Sequence, residues 1–146
     1  MAKTVYTAEA TITGGREHGH GRSSDGELDV ALRPPGEGGG TNPEQLFAVG
    51  YAACFEGALG AVARRERVEL GEVSIDSRVS LVAQNDRTYG IAVTLDVSLP
   101  GVDDAAAAQR LVEGAHQVCP YSNATRGNVE VQLIANGVPV GDAAAA

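Results

Sequence analysis

Two cysteines are the residues of this chain whose side chains could act as nucleophiles or redox centres. Cys54 lies in an apolar run, and Cys119 precedes a proline in the string VCPYSNATRG. Free cysteine is among the most buried residue types, so a pair of inert core thiols is one interpretation. The polar residues that follow Cys119 favour the other interpretation, a working thiol pair, because a buried apolar cysteine needs no polar neighbours.

A thiol at position 54 needs help to become a nucleophile. Burial raises the pKa of a thiol, and this position lies about three turns into a predicted helix, beyond the reach of the helix dipole. Arg16, on a glycine-flanked loop, and Arg126 are candidate cations, and Glu44 is a candidate carboxylate to hold an arginine. Each has a plain alternative, a solvated arginine or a helix-end carboxylate. Together these residues suggest a two-cysteine redox centre.

Composition narrows the possible functions. The 146 residues fit a single domain, and the net charge of −8 argues against nucleic acid as a partner. The first residues lack the apolar core of a signal peptide, and we expect no apolar run as long as the ~18 residues that cross a bilayer. We therefore expect a cytoplasmic protein without membrane contact. Two cysteines are not a disulfide framework, and His18, His20 and His116 lack a metal-ligand spacing.

The elements that position these residues follow from apolar periodicity. Strands are predicted over residues 3–13, 28–32, 72–84, 89–99 and 128–134. A helix begins at TNPEQLF, with Thr41 or Asn42 as its cap, and runs to about residue 67. Because it is apolar nearly all round, we expect it to be buried on most faces.

A second helix is predicted after Asp103 or Asp104, and it ends near Cys119 because Pro120 follows. Its predicted apolar stripe is Leu111, Val112, Ala115 and Val118. The predicted element order is βββ-α-ββ-α-β, one strand more than the five ranges given above, with antiparallel sheets packed on two helices. This order indicates an α+β fold. We expect one domain over residues 1–146, with a core at about 4–134 and a disordered tail at 141–146.

Two long strings resemble one known family. TNPEQLFAVGYAACFEGAL and VCPYSNATRGNVEV, preceded by TGGREHGHGRSSDGELDV, resemble the organic hydroperoxide resistance proteins of the OsmC/Ohr superfamily. The resemblance covers roughly residues 4–134. It implies an intertwined, OsmC-like α+β homodimer with its sites at the subunit interface.

The resemblance also implies an activity, that of a thiol peroxidase reducing organic hydroperoxides, including fatty-acid hydroperoxides, to alcohols. By motif position Cys54 would be the peroxidatic cysteine and Cys119 the resolving one, joined in a disulfide after each reaction. Arg16 would activate the thiolate and Glu44 would orient that arginine. No cofactor would be bound, and dihydrolipoamide or a lipoylated protein would be the electron donor.

An apolar groove for the alkyl chain is a further expectation. Its candidate lining residues are Leu46, Phe47, Tyr51 and Phe55, although core packing is the alternative and is favoured for each taken singly. Glu44 and Cys54 are ten residues apart, about 15 Å of rise on a straight helix. We therefore hypothesise a composite site, with both cysteines from one subunit and Glu44, with or without Arg16, from the other.

Two departures from the family and two rival functions complete the expectations. Glu56 stands where the family has an apolar residue, and the turn EHGHGR is rich in histidine.

One alternative to the peroxidase function is a dimeric redox sensor whose disulfide switches binding without turnover. The other alternative is an OsmC-type peroxidase with a broader substrate range that includes hydrogen peroxide.

Overall fold

The computed structural model describes residues 2–141, and the chain divides into two compact units that meet in sequence between Leu46 and Phe47. The predicted disorder of the tail falls largely on residues 142–146, which lie outside the described residues. Each unit carries its own β-sheet. The two predicted cysteines both belong to the second unit, and the predicted Arg16 and Glu44 both belong to the first.

The first unit contains a three-stranded antiparallel sheet. Its elements are β1 (Ala10–Thr13), α1 (Gly15–His18), β2 (Gly19–Ser23) and β3 (Asp29–Leu32), and the strand order is β1-β2-β3. The first strand is shorter than the predicted 3–13. The central strand comes from the glycine-rich segment that we expected to be a turn, because its backbone pairs with a neighbour on both sides.

The helix α2 (Pro43–Glu66) starts in the first unit and continues into the second. Asn42 is its cap, since the Asn42 side-chain oxygen accepts a hydrogen bond from the Gln45 N–H at 2.8 Å. The helix ends where Arg67 adopts a left-handed backbone with φ of 60°, and the Val68 N–H returns to the Ala63 carbonyl. This closing pattern satisfies carbonyls that the helix end would otherwise leave free.

Burial of α2 differs from the prediction. Within this chain a single stripe of side chains is buried, namely Tyr51, Phe55, Ala58, Leu59, Val62 and Ala63. Val49 is 71% exposed, and Ala53, Glu56 and Gly57 are also exposed. Helix α2 has apolar residues on nearly all of its faces, but the other elements of the same chain cover only one of those faces.

The expectation that no segment is long and apolar enough for a bilayer was also wrong. Among the described residues α2 meets that criterion, with a mean hydropathy of 1.6 over its most apolar window and 33% of that window buried. Length and composition do not by themselves separate such a segment from the core helix of a globular protein.

The second unit holds a four-stranded sheet and two further helices. The sheet comprises β4 (Ser74–Ala83), β5 (Tyr89–Ser98), β6 (Glu130–Ala135) and β7 (Val138–Pro139) in that order, and the helices α3 (Ala105–Val118) and α4 (Pro120–Thr125) come between β5 and β6. The strands predicted at 72–84 and 89–99 are confirmed as β4 and β5, which pair antiparallel along their whole length. Strand β6 joins β5 in parallel, because the chain crosses over through the two helices first.

The segment that follows α3 forms a further helix, α4, which was not predicted. Asp104 caps α3 by accepting the Ala106 N–H at 3.2 Å. The predicted stripe of α3 holds for its first three members, but Val118 is 40% exposed. Pro120 ends α3 as predicted, yet it also opens α4, because proline suits a first helical position. The polar residues after Cys119 therefore lie on a helix and not in a loop.

Candidate active site

The two cysteine side chains lie next to each other. Both are free thiols, Cys119 fully buried and Cys54 partly exposed. The Cys119 thiol is close enough to Cys54 to raise its pKa, and the backbone N–H of Tyr121 donates to Cys54 and lowers that pKa. Helix α2 supplies Cys54, and the junction of α3 and α4 supplies Cys119. Residues that are 65 positions apart in the sequence thus form one pair.

The N–H on Cys54 is available because of where Tyr121 stands. The first N–H groups of a helix have no partner within the helix, and Tyr121 is the second residue of α4, directly after Pro120. Folding therefore places an unpaired donor beside the sulfur. A donor of this kind stabilises a thiolate more than a thiol.

The surroundings within the second unit nevertheless keep Cys54 protonated. Burial raises the pKa of the Cys54 thiol, the Tyr121 N–H lowers it, and the neighbouring Cys119 raises it again. The net direction is upward. The sequence-based argument that this thiol needs a cation from elsewhere agrees with that direction.

Arg126, one of the two candidate cations, is engaged elsewhere. Its guanidinium donates to the Asn123 side chain and to the His116 carbonyl, each at 2.6 Å. These bonds fasten the end of α4 to α3. The charge of Arg126 affects the pKa of Tyr51 and of His116, and it is not among the groups that shift the Cys54 pKa.

Arg16, the other candidate cation, pairs with Glu44 as predicted. Arg16 lies on α1, and its guanidinium donates to the Glu44 carboxylate in the first turn of α2. Gly14 permits the tight turn before α1: its φ is 80°, and a side-chain carbon there would lie 2.4 Å from the His18 carbonyl oxygen. Since α2 begins at Pro43, Glu44 is part of the helix, as the composite-site hypothesis assumed.

Three aromatic rings pack beside the thiol pair. The Tyr121 ring lies 5.5 Å from the ring of Tyr51 and 5.6 Å from that of Phe47, and the last two are 6.1 Å apart, centre to centre. These separations and their tilted or edge-on orientations are those of favourable aromatic pairs. The cluster fastens the start of α4 onto α2.

A buried polar network that the sequence did not predict includes two residues of α4. The Tyr51 hydroxyl lies 2.8 Å from the Ser122 hydroxyl and 3.2 Å from that of Thr125, and Ser122 lies 2.8 Å from Nδ1 of His116. Burial raises the pKa of Tyr51, so the phenol keeps its proton and can donate. The only signal in the sequence was the spacing of three between Ser122 and Thr125, which places both on one helix face.

This network makes a prediction for the pH dependence of stability. Burial, and secondarily the charge of Arg126, lower the pKa of His116 below its usual value near 6.5. Below pH 6.5 the unfolded chain takes up a proton that the folded chain resists, so stability falls as the pH drops towards the folded pKa and is regained above 6.5.

The measurement is urea unfolding between pH 7.5 and 5. We expect His116→Gln to flatten the acid-side decline relative to the parent chain, and His18→Gln to keep it, since His18 is an exposed residue of α1. An equal slope in the parent chain and in His116→Gln contradicts the assignment.

A mostly apolar cavity of about 480 Å³ adjoins the start of α4. It is lined by Phe47, Ile91, Pro120, Tyr121, Ala124, Thr125, Asn128 and Val129. Of the predicted groove residues, Phe47 lines it, Leu46 is half-buried, and Tyr51 and Phe55 are fully buried in the core. The last two therefore present no surface to a ligand in this chain. Ile91 and Val129 were missed because alternation along a strand marks a residue as inward-facing without distinguishing core from cavity.

Each of the two departures from the family has surroundings of its own. Glu56 lines a separate groove of about 470 Å³ between α2 and β4, together with Val49 and Asp76. His20 forms a 2.5 Å contact with Asp29 on the first sheet. Residues 2–141 contain no group of three or more histidine, cysteine or acidic side chains placed to hold a metal ion.

Comparisons with known proteins show the family of this chain. The family model of OsmC-like proteins matches residues 36–134. The organic hydroperoxide resistance protein of Xanthomonas axonopodis pv. citri is 57% identical over 137 residues, which are 90% of this chain and 94% of that one.

Solved structures show the same architecture. The crystal structure of OhrB of Bacillus subtilis has a TM-score of 0.84 at 47% identity and covers 90% of this chain and 98% of its own. An organic hydroperoxide resistance protein from Legionella pneumophila has a TM-score of 0.84 at 48% identity, with the same coverage. The chain therefore belongs to the OsmC/Ohr superfamily and, within it, to the organic hydroperoxide resistance proteins. The predicted family and the predicted OsmC-like α+β fold are both confirmed.

Proposed function

We propose that this chain is a thiol-dependent peroxidase that reduces organic hydroperoxides, including fatty-acid hydroperoxides, to alcohols. The observation that carries the proposal is the neighbouring pair of free thiols, Cys54 and Cys119, with the Tyr121 N–H on the first of them. Relatives named for resistance to organic hydroperoxides, in Xanthomonas and in Bacillus, support the substrate class.

In the first step the Cys54 thiolate attacks the distal oxygen of the hydroperoxide. The O–O bond breaks, the alkoxide takes up a proton and leaves as the alcohol, and Cys54 becomes a sulfenic acid. Arg16 is the proposed cation that offsets the upward pKa shift of this thiol, and Glu44 holds the guanidinium in position. An arginine beside an anion lowers its pKa by about 1–3 units.

In the second step Cys119 attacks the sulfur of the Cys54 sulfenic acid. An S–S bond forms, the S–O bond breaks, and the hydroxyl leaves as water with the proton of the Cys119 thiol. A disulfide requires Cα atoms within about 4.4–6.8 Å. The effect of Cys119 on the Cys54 pKa supports such proximity.

A dithiol must then restore the pair, and we propose a dihydrolipoyl group, free or on a lipoylated protein. Its two thiols reduce the disulfide by exchange through a mixed disulfide and are themselves oxidised to the cyclic disulfide. No bound cofactor takes part in this cycle. The apolar lining of the cavity beside Tyr121, including Phe47 and Val129, supports an alkyl substrate or a hydrocarbon-linked reductant.

We also propose that the protein acts as a homodimer in the cytoplasm. The exposed face of α2, with Val49 and Ala53, supports a second copy as its cover. In that assembly the Arg16–Glu44 pair of one subunit serves Cys54 of the other. Free thiols suit a reducing compartment.

A turnover assay tests the proposed function. We expect continuous consumption of cumene hydroperoxide with lipoamide, lipoamide dehydrogenase and NADH, and much slower consumption with a thioredoxin system. Stoichiometric oxidation without turnover would instead support the redox sensor. Equal rates on cumene hydroperoxide and hydrogen peroxide would support the broader OsmC-type peroxidase.

A further inference from the structure

Gly50 and Cys54 lie one turn apart on the same face of α2, and Tyr121 spans both. The backbone N–H of Tyr121 donates to Cys54, while the far end of its side chain lies over Gly50. A side-chain carbon at position 50 would be 2.7 Å from the Tyr121 hydroxyl oxygen, 3.3 Å from Cζ and 3.6 Å from Cε2. Any residue larger than glycine would therefore push on this ring.

Two neighbouring rings limit how the Tyr121 ring can yield, and its remaining open side borders the apolar cavity. Tyr51 and Phe47 pack against it at 5.5 and 5.6 Å. The rest of α4 is tied down by the bonds from Ser122 to Tyr51 and His116. A push at Gly50 is therefore transmitted to the start of α4, where Cys119 is the cap residue and Tyr121 carries the donor N–H.

We propose that Gly50 is a positioning residue for the thiol pair: its missing side chain lets Tyr121 lie against α2, which keeps the Tyr121 N–H on Cys54 and Cys119 beside it. The importance of this contact for peroxide reduction rests on the proposed function. The effect of this contact on the pKa of the Cys54 thiol does not depend on the proposed function.

The same helix offers a matched control. Gly57 lies about two turns further along α2, and a side-chain carbon there would meet nothing within 4 Å. Alanine at either position brings the same gain in helix propensity. The two substitutions therefore differ chiefly in their contact with Tyr121.

The test measures the Cys54 pKa from its rate of alkylation by iodoacetamide between pH 6 and 10, followed by mass spectrometry of the Cys54 peptide. In Gly50→Ala we expect the pKa to rise by about one unit, and the rate at pH 7.5 to fall about tenfold, because a hydrogen bond to the thiolate is lost. Gly57→Ala should stay within about twofold of the parent. Equal behaviour of the two variants overturns the proposal.

A compensating substitution distinguishes positioning from general damage to the fold. In Gly50→Ala/Tyr121→Phe the hydroxyl is absent and the nearest ring atom lies 3.3 Å from the new carbon, a contact that small shifts accommodate. We expect the double variant to return to the Cys54 pKa of Tyr121→Phe alone. A folded double variant whose pKa stays raised refutes the proposal. Because alkylation needs no hydroperoxide, a chain without peroxidase turnover would overturn the proposed function and leave this measurement intact.

Discussion

Cys54→Ser is expected to reduce hydroperoxide turnover to the uncatalysed background, a loss of roughly 10³-fold or more on the scale of enzymatic accelerations. The reacting species is the thiolate, and a serine hydroxyl at neutral pH supplies no comparable anion. The substitution is nearly isosteric and the site is partly exposed, so the fold should survive. The measurement is the lipoamide-coupled rate, with the melting temperature as the check on folding.

Cys119→Ser is the matched partner of that experiment, because it removes the neighbouring sulfur and leaves Cys54 in place. We expect one equivalent of alcohol per site and then arrest, with the Cys54 sulfenic acid trapped by dimedone and detected by mass. Sustained turnover by Cys119→Ser would remove the resolving role from this residue. Alcohol formation by Cys54→Ser would refute the proposed order of the two thiols.

Arg16→Ala is expected to slow the reaction of Cys54 with hydroperoxide by about 10²-fold at pH 7. Burial raises the pKa of the thiol, and loss of a cation worth about two pKa units lowers the thiolate fraction about a hundredfold. The rate falls because only the thiolate form of Cys54 reacts. The deficit should shrink as the pH rises, because the thiolate then forms without assistance.

The measurement is single-turnover oxidation of Cys54 from pH 6 to 10. Arg22→Ala is the control, since Arg22 lies on the next element, β2, is mostly exposed, and faces Asp29 at 3.8 Å. We expect its profile to match the parent chain. A deficit in Arg16→Ala that stays constant with pH would show that Arg16 orients the substrate and does not stabilise the thiolate.

Much of the local structure follows from short-range rules, and these predictions succeeded. A cap and a proline marked the start of α2 at Asn42 and Pro43, and strict alternation marked β5, where Val93, Leu95 and Val97 are buried. Both features depend on residues within a turn or a strand of one another. The physical causes of both features therefore lie among residues that are close together in the sequence.

The failures have a common cause, since each depends on partners distant in sequence. Helix α2 was expected to be covered all round, but burial depends on how many other elements reach it. Val118 continues an apolar period and is still exposed. The segment after Pro120 could be a polar loop or a helix until Tyr51 and His116 supply partners for Ser122.

By itself the sequence determined the family, the order of the main elements and the identity of the four residues proposed for chemistry, because motifs and periodicity are properties of neighbouring residues. Only the tertiary structure decided that Cys54 and Cys119 are neighbours, that Tyr121 adds its N–H, and that the Arg126 guanidinium bonds to the His116 carbonyl. Such contacts join residues tens of positions apart. They exist only after hydrophobic burial has brought α2, α3 and α4 together, and no local pattern encodes that distance.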